Sequence, residues 1–203
     1  MVPRMFENRL MLSGSMQSCP VLSHTARGAE VFRFDLSVRR TSGTADVLPV
    51  LIPRERLPAD VGEGLPVVVT GQLRTHAFLT ADNRERVMLN VFAQTLAVPE
   101  EETYVNEVHL VGVVHKPPVY RTTPRLREIT DLLIMVPRGF DKSDRIPVIA
   151  WGKNARTSRE LQTGDVVAVS GRLQSRAYNK VLPCGTVAVR MTYEVSAGTI
   201  ALQ

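Results

Sequence analysis

The chain has 203 residues, 44% hydrophobic and 22% charged, and a formal net charge of +5. This is the balance of a folded protein rather than a disordered one, and no apolar run approaches the roughly 20 residues that a membrane-spanning helix needs. Cys19, Cys184 and four scattered histidines give neither a disulfide framework nor a metal-ligand spacing, so neither a metal nor another cofactor is expected.

Residues 1–8 lack the continuous apolar core of a signal peptide, which makes a cytoplasmic protein the expectation. Asn8-Arg9-Leu10-Met11-Leu12-Ser13-Gly14 opens a first strand. After a loop rich in turn formers, Glu30 to Arg40 carries Val31, Phe32, Phe34, Leu36 and Val38 in near-alternation, the period of a half-buried strand. Val47 to Pro53 supplies a third strand, Gly71 to Phe78 a fourth and Arg86 to Val98 a fifth. Pro99-Glu100-Glu101-Glu102-Thr103 reads as a solvated linker. Beyond it the pattern starts again: Asn106 to Gly112, Thr130 to Arg138, Arg145 to Trp151, a helical segment Asn154 to Gln162, Val166 to Tyr178, and Val187 to Val195.

The second pass repeats the first. Asn8 to Gly14 echoes Asn106 to Gly112, and Gly71-Gln72-Leu73-Arg74-Thr75-His76-Ala77-Phe78 echoes Gly171-Arg172-Leu173-Gln174-Ser175-Arg176-Ala177-Tyr178. A repeat of about 100 residues is a small domain rather than a solenoid unit. Five strands with at most one short helix between the third and fourth predict an all-β protein of two tandem OB-folds, five-stranded Greek-key barrels, with domains 1–102 and 103–203. Charge separates the copies: 11 basic residues against 12 carboxylates in the first, 14 against 8 in the second. Because phosphate neutralisation supplies much of the affinity for a nucleic acid, the second copy is the expected principal binder.

Side chains of a strand alternate between its faces, so Arg145, Pro147, Ile149 and Trp151 share one face, and Arg172, Gln174, Arg176 and Tyr178 share another. Aromatics interleaved with cations are the composition of a platform on which unpaired bases stack while phosphates are neutralised. Lys153 and Lys180 lie beside this track. In the first copy Pro53 stands where the second has Trp151, while Phe78 and Arg74 remain as possible contacts.

The order strand, Gly152-Lys153, short helix, Thr163-Gly164-Asp165, long strand and Gly171-Arg172-Leu173, preceded by Asn106-Glu107-Val108-His109-Leu110-Val111-Gly112, resembles the bacterial single-stranded DNA-binding protein family from Asn106 to about Gln203. The resemblance implies base stacking at Trp151, at Tyr178 and at Phe140, which follows Pro137-Arg138-Gly139 in the loop after the second strand. Tyr120, in the Pro117-Pro118-Val119-Tyr120-Arg121 loop, is a further candidate, and Arg138 a further cation. Where the family often has another aromatic this chain has Arg145, which implies weaker and more salt-sensitive binding. The family works as four OB domains, so two per chain imply a homodimer. Its usual acidic, Phe-tipped recruitment tail is expected to be absent, since only Ser196 to Gln203 follow the last strand candidate.

No phosphate loop, HExxH pair or GxSxG elbow occurs, so an enzyme is not expected. The expectation is a passive binder of single-stranded DNA with little sequence preference, serving replication, repair or recombination, and with no membrane association. The alternatives are a primosome-type OB protein that contacts other proteins, favoured by Pro53 and the missing tail, and an RNA binder.

Overall fold

The computed structural model describes residues 6–26, 28–79, 85–181 and 185–203, with the side chains of residues 77–79, 85, 86 and 180 outside the description. Strands dominate it. The first half holds β1 (Glu7–Met16), β2 (Val21–Ala26), β3 (Ala29–Arg39), β4 (Ala45–Pro53), a single 3₁₀ turn (Arg54–Arg56), β5 (Pro66–Leu79) and β6 (Glu85–Ala97). The second holds β7 (Asn106–Val114), β8 (Val119–Thr122), β9 (Glu128–Arg138), β10 (Lys142–Trp151), α1 (Lys153–Ser158), β11 (Val166–Val181) and β12 (Val187–Leu202). Their spatial order is β2-β3-β4-β6-β5-β1-β7-β11-β12-β10-β9-β8, and the pairings β1–β3 and β7–β9 close each half into a barrel. The chain is two OB-folds, as its repeat predicts.

Alternation explains the cores. In β9 Ile134 and Val136 point inward, as do Ile146 and Val148 in β10 and Leu173 in β11. They join Leu12, Leu36 and Val91 of the first half in one contiguous apolar cluster. Two strands, β2 and β8, are additional to the sequence reading. Every residue of both is exposed, so neither has a buried face to impress a period of two on its sequence. The helix is also shorter than predicted. Thr157 and Ser158 turn their hydroxyls back onto carbonyls of the preceding turn, and Leu161 bonds only as far back as Ser158. Side-chain competition of this kind weakens a helix end.

The two clearest repeat motifs form one device. Asn106 donates through Nδ2 to the Leu173 carbonyl at 2.8 Å and accepts from the Leu173 amide through Oδ1 at 2.8 Å. Asn8 does the same to Leu73, at 2.7 and 2.9 Å. Each asparagine thereby imitates a strand backbone beside a β-bulge, which lies opposite Ser170/Gly171 of β11, where β12 carries the extra residue Gly198, and opposite Thr70/Gly71 of β5, where β6 carries Gln94. The glycine is needed there because a Cβ on Gly71 or Gly171 would meet the carbonyl oxygen of Phe92 or Ser196. Bulges sharpen strand coiling, which is what closing a small barrel requires.

The halves join along their first strands. β1 and β7 pair antiparallel from Glu7↔Val111 to Leu12↔Asn106, which sets the two equivalent segments about a pseudo-twofold axis. A reciprocal clasp reinforces this seam. Asp144, fully buried, accepts from the Thr75 amide at 2.7 Å and pairs with Arg138 at 3.5 Å. Asp46, also buried, accepts from the Ser175 amide at 2.6 Å and its hydroxyl at 2.9 Å, and pairs with Arg40. Arg40 additionally donates to the Ser175 carbonyl at 2.7 Å. Burial pushes the Asp46 carboxyl up, but the hydrogen bonds from Arg40 and Ser175 outweigh it and hold it below the usual carboxylate range.

Candidate nucleic-acid interface

The outer face of β10 is the backbone of the site. Arg145 lies across from Met135, Pro147 from Leu133 and Trp151 from Ile129 in the β9–β10 ladder. From Arg145 to Trp151 is six residues of strand, roughly 20 Å. Trp151 is 37% exposed, whereas Ile149 on the same face is buried at 3%. Gly152 follows with φ of +53°, a conformation that turns the chain into α1 directly behind the indole. Lys153 begins that helix and is exposed.

At the opposite end of β10 stands the β9–β10 turn. Phe140 is 82% exposed, and both Phe140 and Asp141 have positive φ, +61° and +56°. Two consecutive left-handed residues without glycine are strained, and such strain collects at functional sites. Phe140, Arg145, Pro147 and Trp151 thus all belong to the β9–β10 hairpin.

Tyr178 reaches the same region from β11. Because β12 lies between β10 and β11, the two faces adjoin through it rather than directly. Tyr178 pairs with Arg190, and the two share a cleft of about 490 Å³ with Arg145, Pro147 and Lys116. Among the described residues none of Lys116, Arg145 and Arg190 has an ion-pair partner. Sequence reasoning missed Lys116 and Arg190. Counting back across the turn from Tyr178 would have found Arg190, while Lys116 sits in a loop with no periodicity to reveal it.

Other predicted residues are placed elsewhere. Tyr120 pairs with Thr130, on the opposite side of the sheet from the Ile129–Trp151 pair. Its hydroxyl donates to Glu128 at 2.5 Å and the Arg159 guanidinium lies 5.5 Å from its ring centre. Arg176 is matched by Glu194, which is 5% exposed and accepts from it at 3.2 Å while also accepting from Gln174 at 2.9 Å. Arg138 belongs to the clasp with Asp144. Arg172 shares a face of β11 with Tyr178 but lines a different groove, beside Arg39, Tyr104 and Asn106 at the junction of the halves. In the first half, Arg74 stacks on Phe92, its guanidinium carbon 3.5 Å from the ring centre, and burial together with nearby Arg138 lowers its pKa. The side chains of Phe78 and Lys180 lie outside the described residues.

The groups assembled here are aromatic rings and cations; among the described residues no cluster of ligands suited to a metal occurs. Among the described residues no helix is long and apolar enough to cross a membrane.

The sequence matches the single-strand binding protein family over residues 105–202. Over 81 residues, 36% of this chain, it is 36% identical to a single-stranded DNA-binding protein of Clostridium tetani, of which those residues make up 56%. Over 82 residues, 37% of this chain, it is 34% identical to single-stranded DNA-binding protein 3 of Clostridium acetobutylicum, of which they make up 57%. The chain thus spans a little over half the length of these curated relatives. The fold of the whole chain is similar to that of the wild-type single-stranded DNA binding protein from Thermus aquaticus, with a TM-score of 0.76 at 21% identity over 98% of this chain and 93% of that one.

Proposed function

We propose, from the match of residues 105–202 to the single-strand binding protein family, that the protein is a non-enzymatic single-stranded DNA-binding protein built of two OB domains, 1–102 and 103–203. Bases stack on Trp151, Phe140 and Tyr178, and Arg145, Lys153, Lys116 and Arg190 neutralise phosphates. The observation that carries this reading is the exposure of Phe140 and Trp151 at the two ends of one hairpin of the more basic half, beside Lys116, Arg145 and Arg190, none of which has an ion-pair partner among the described residues. Contacts of this type read a ring face and a phosphate, not base edges, so little sequence preference is expected. Two chains would supply four OB domains. Since β1 and β7 spend one edge each on one another, the homodimer would form through sheet faces and not through first-strand pairing. Sedimentation at micromolar concentration is expected to show a dimer, and a persistent monomer would refute it.

The chain's one tryptophan is Trp151, which makes the main test direct. Titration with a long oligothymidylate is expected to quench its fluorescence strongly, less so as salt rises, and duplex DNA is expected to leave it unchanged. Unchanged fluorescence together with no binding by anisotropy of a labelled oligonucleotide would refute the assignment and favour protein contacts for these barrels.

A further inference from the structure

The cleft beside Tyr178 belongs to both halves. Lys116, Arg145, Tyr178 and Arg190 line it from the second half together with Met191 of β12, and Thr75 of β5 and Met88 of β6 line it from the first. Among the described residues no carboxylate lines it. Two of its three cations are additions that the repeated fold does not demand: the first-half counterparts of Lys116 and Arg145 are Ser18 and Val47. Among the described residues the ladder of the second hairpin also runs farther than that of the first. Beyond the equivalent pairs Leu73↔Val91 and Leu173↔Val195, the ladder continues six pairs to Leu79↔Glu85 in one and eight to Val181↔Val187 in the other.

We propose that this cleft takes up a nucleotide of the bound strand and passes the strand from the second half onto the β5–β6 hairpin of the first. The proposal rests on the single-stranded DNA reading and goes beyond it, because it gives the first half a contact through its hairpin and not through its own β4 face. A base edges between the methionine side chains and the Tyr178 ring, whose polarisable surfaces suit a flat π system. Its flanking phosphates meet Lys116, Arg145 and Arg190. With about 490 Å³ the cleft is large enough for one nucleoside, since ligand pockets begin near about 300 Å³.

The test is photo-crosslinking of the intact protein to an oligothymidylate carrying 5-iodouracil at a single position, with adducts mapped by mass spectrometry. Adducts at Met88, Met191 or Tyr193 are expected in addition to those at Trp151. In parallel, Lys116→Ala and Arg190→Ala are each expected to reduce the slope of log affinity against log salt by about 0.7. Adducts at Trp151 alone, with the slopes of both variants unchanged, would overturn the cleft and leave the single-strand reading standing. Absence of any adduct and of any binding would overturn both.

Discussion

Trp151 and Arg145 stand six residues apart on one strand face and would act through different physics. Stacking is insensitive to counterions and contributes about 1–3 kcal/mol per base, so Trp151→Ala is expected to weaken binding by that amount at every salt concentration. Arg145 has no carboxylate partner among the described residues, so Arg145→Ala is expected to flatten the salt dependence by about 0.7 in slope. Arg176 makes the contrast: Glu194 already balances it, and Arg176→Ala is expected to leave the slope nearly unchanged. Glu194→Gln releases that cation and is expected to steepen the slope. Oligonucleotide anisotropy across a salt series measures all four, and equal slopes throughout would refute the electrostatic assignment.

At the scale of elements, the bulge with its asparagine is the part on which barrel closure depends. Asn106→Ala would strand the amide and carbonyl of Leu173 in a part-buried place, at a cost of about 1–3 kcal/mol. Denaturant unfolding is expected to show that loss for Asn106→Ala and a similar one for Asn8→Ala. Both motifs were legible because the same constraint wrote them twice: Asn8 and Asn106, Gly71 and Gly171. The barrel strands were legible for a related reason, since Leu36, Ile146 and Leu173 alternate against a buried interior. The edge strands β2 and β8 were not, having no buried side. Parity alone put Arg172 and Arg176 on the site with Tyr178. It carries no information on curvature, which sends Arg172 to another groove, nor on a neighbour such as Glu194, which arrives from a strand eighteen residues on from Arg176. The clasp left no trace either, because Asp46–Ser175 and Asp144–Thr75 bring together residues from opposite halves.

For the whole molecule, the Asp46 half of that clasp is expected to make the seam acid-labile. A carboxyl held below its ordinary value of 3.8 contributes stability that is complete above that value and is lost as pH falls through the lower folded-state value. Denaturant midpoints are expected to hold from neutrality to about pH 4 and to drop below it, with a smaller drop in Asp46→Asn, which starts less stable. A drop of equal size in the variant would remove Asp46 as the cause. The seam has one more effect. With β1 bonded to β5 and β7, and β7 to β11 and β1, neither first strand offers a free ladder to a stranger. A single-barrel chain would therefore find no vacancy at β1 or β7, so exchange of subunits through these two strands is closed and the two halves of one chain keep each other as partners.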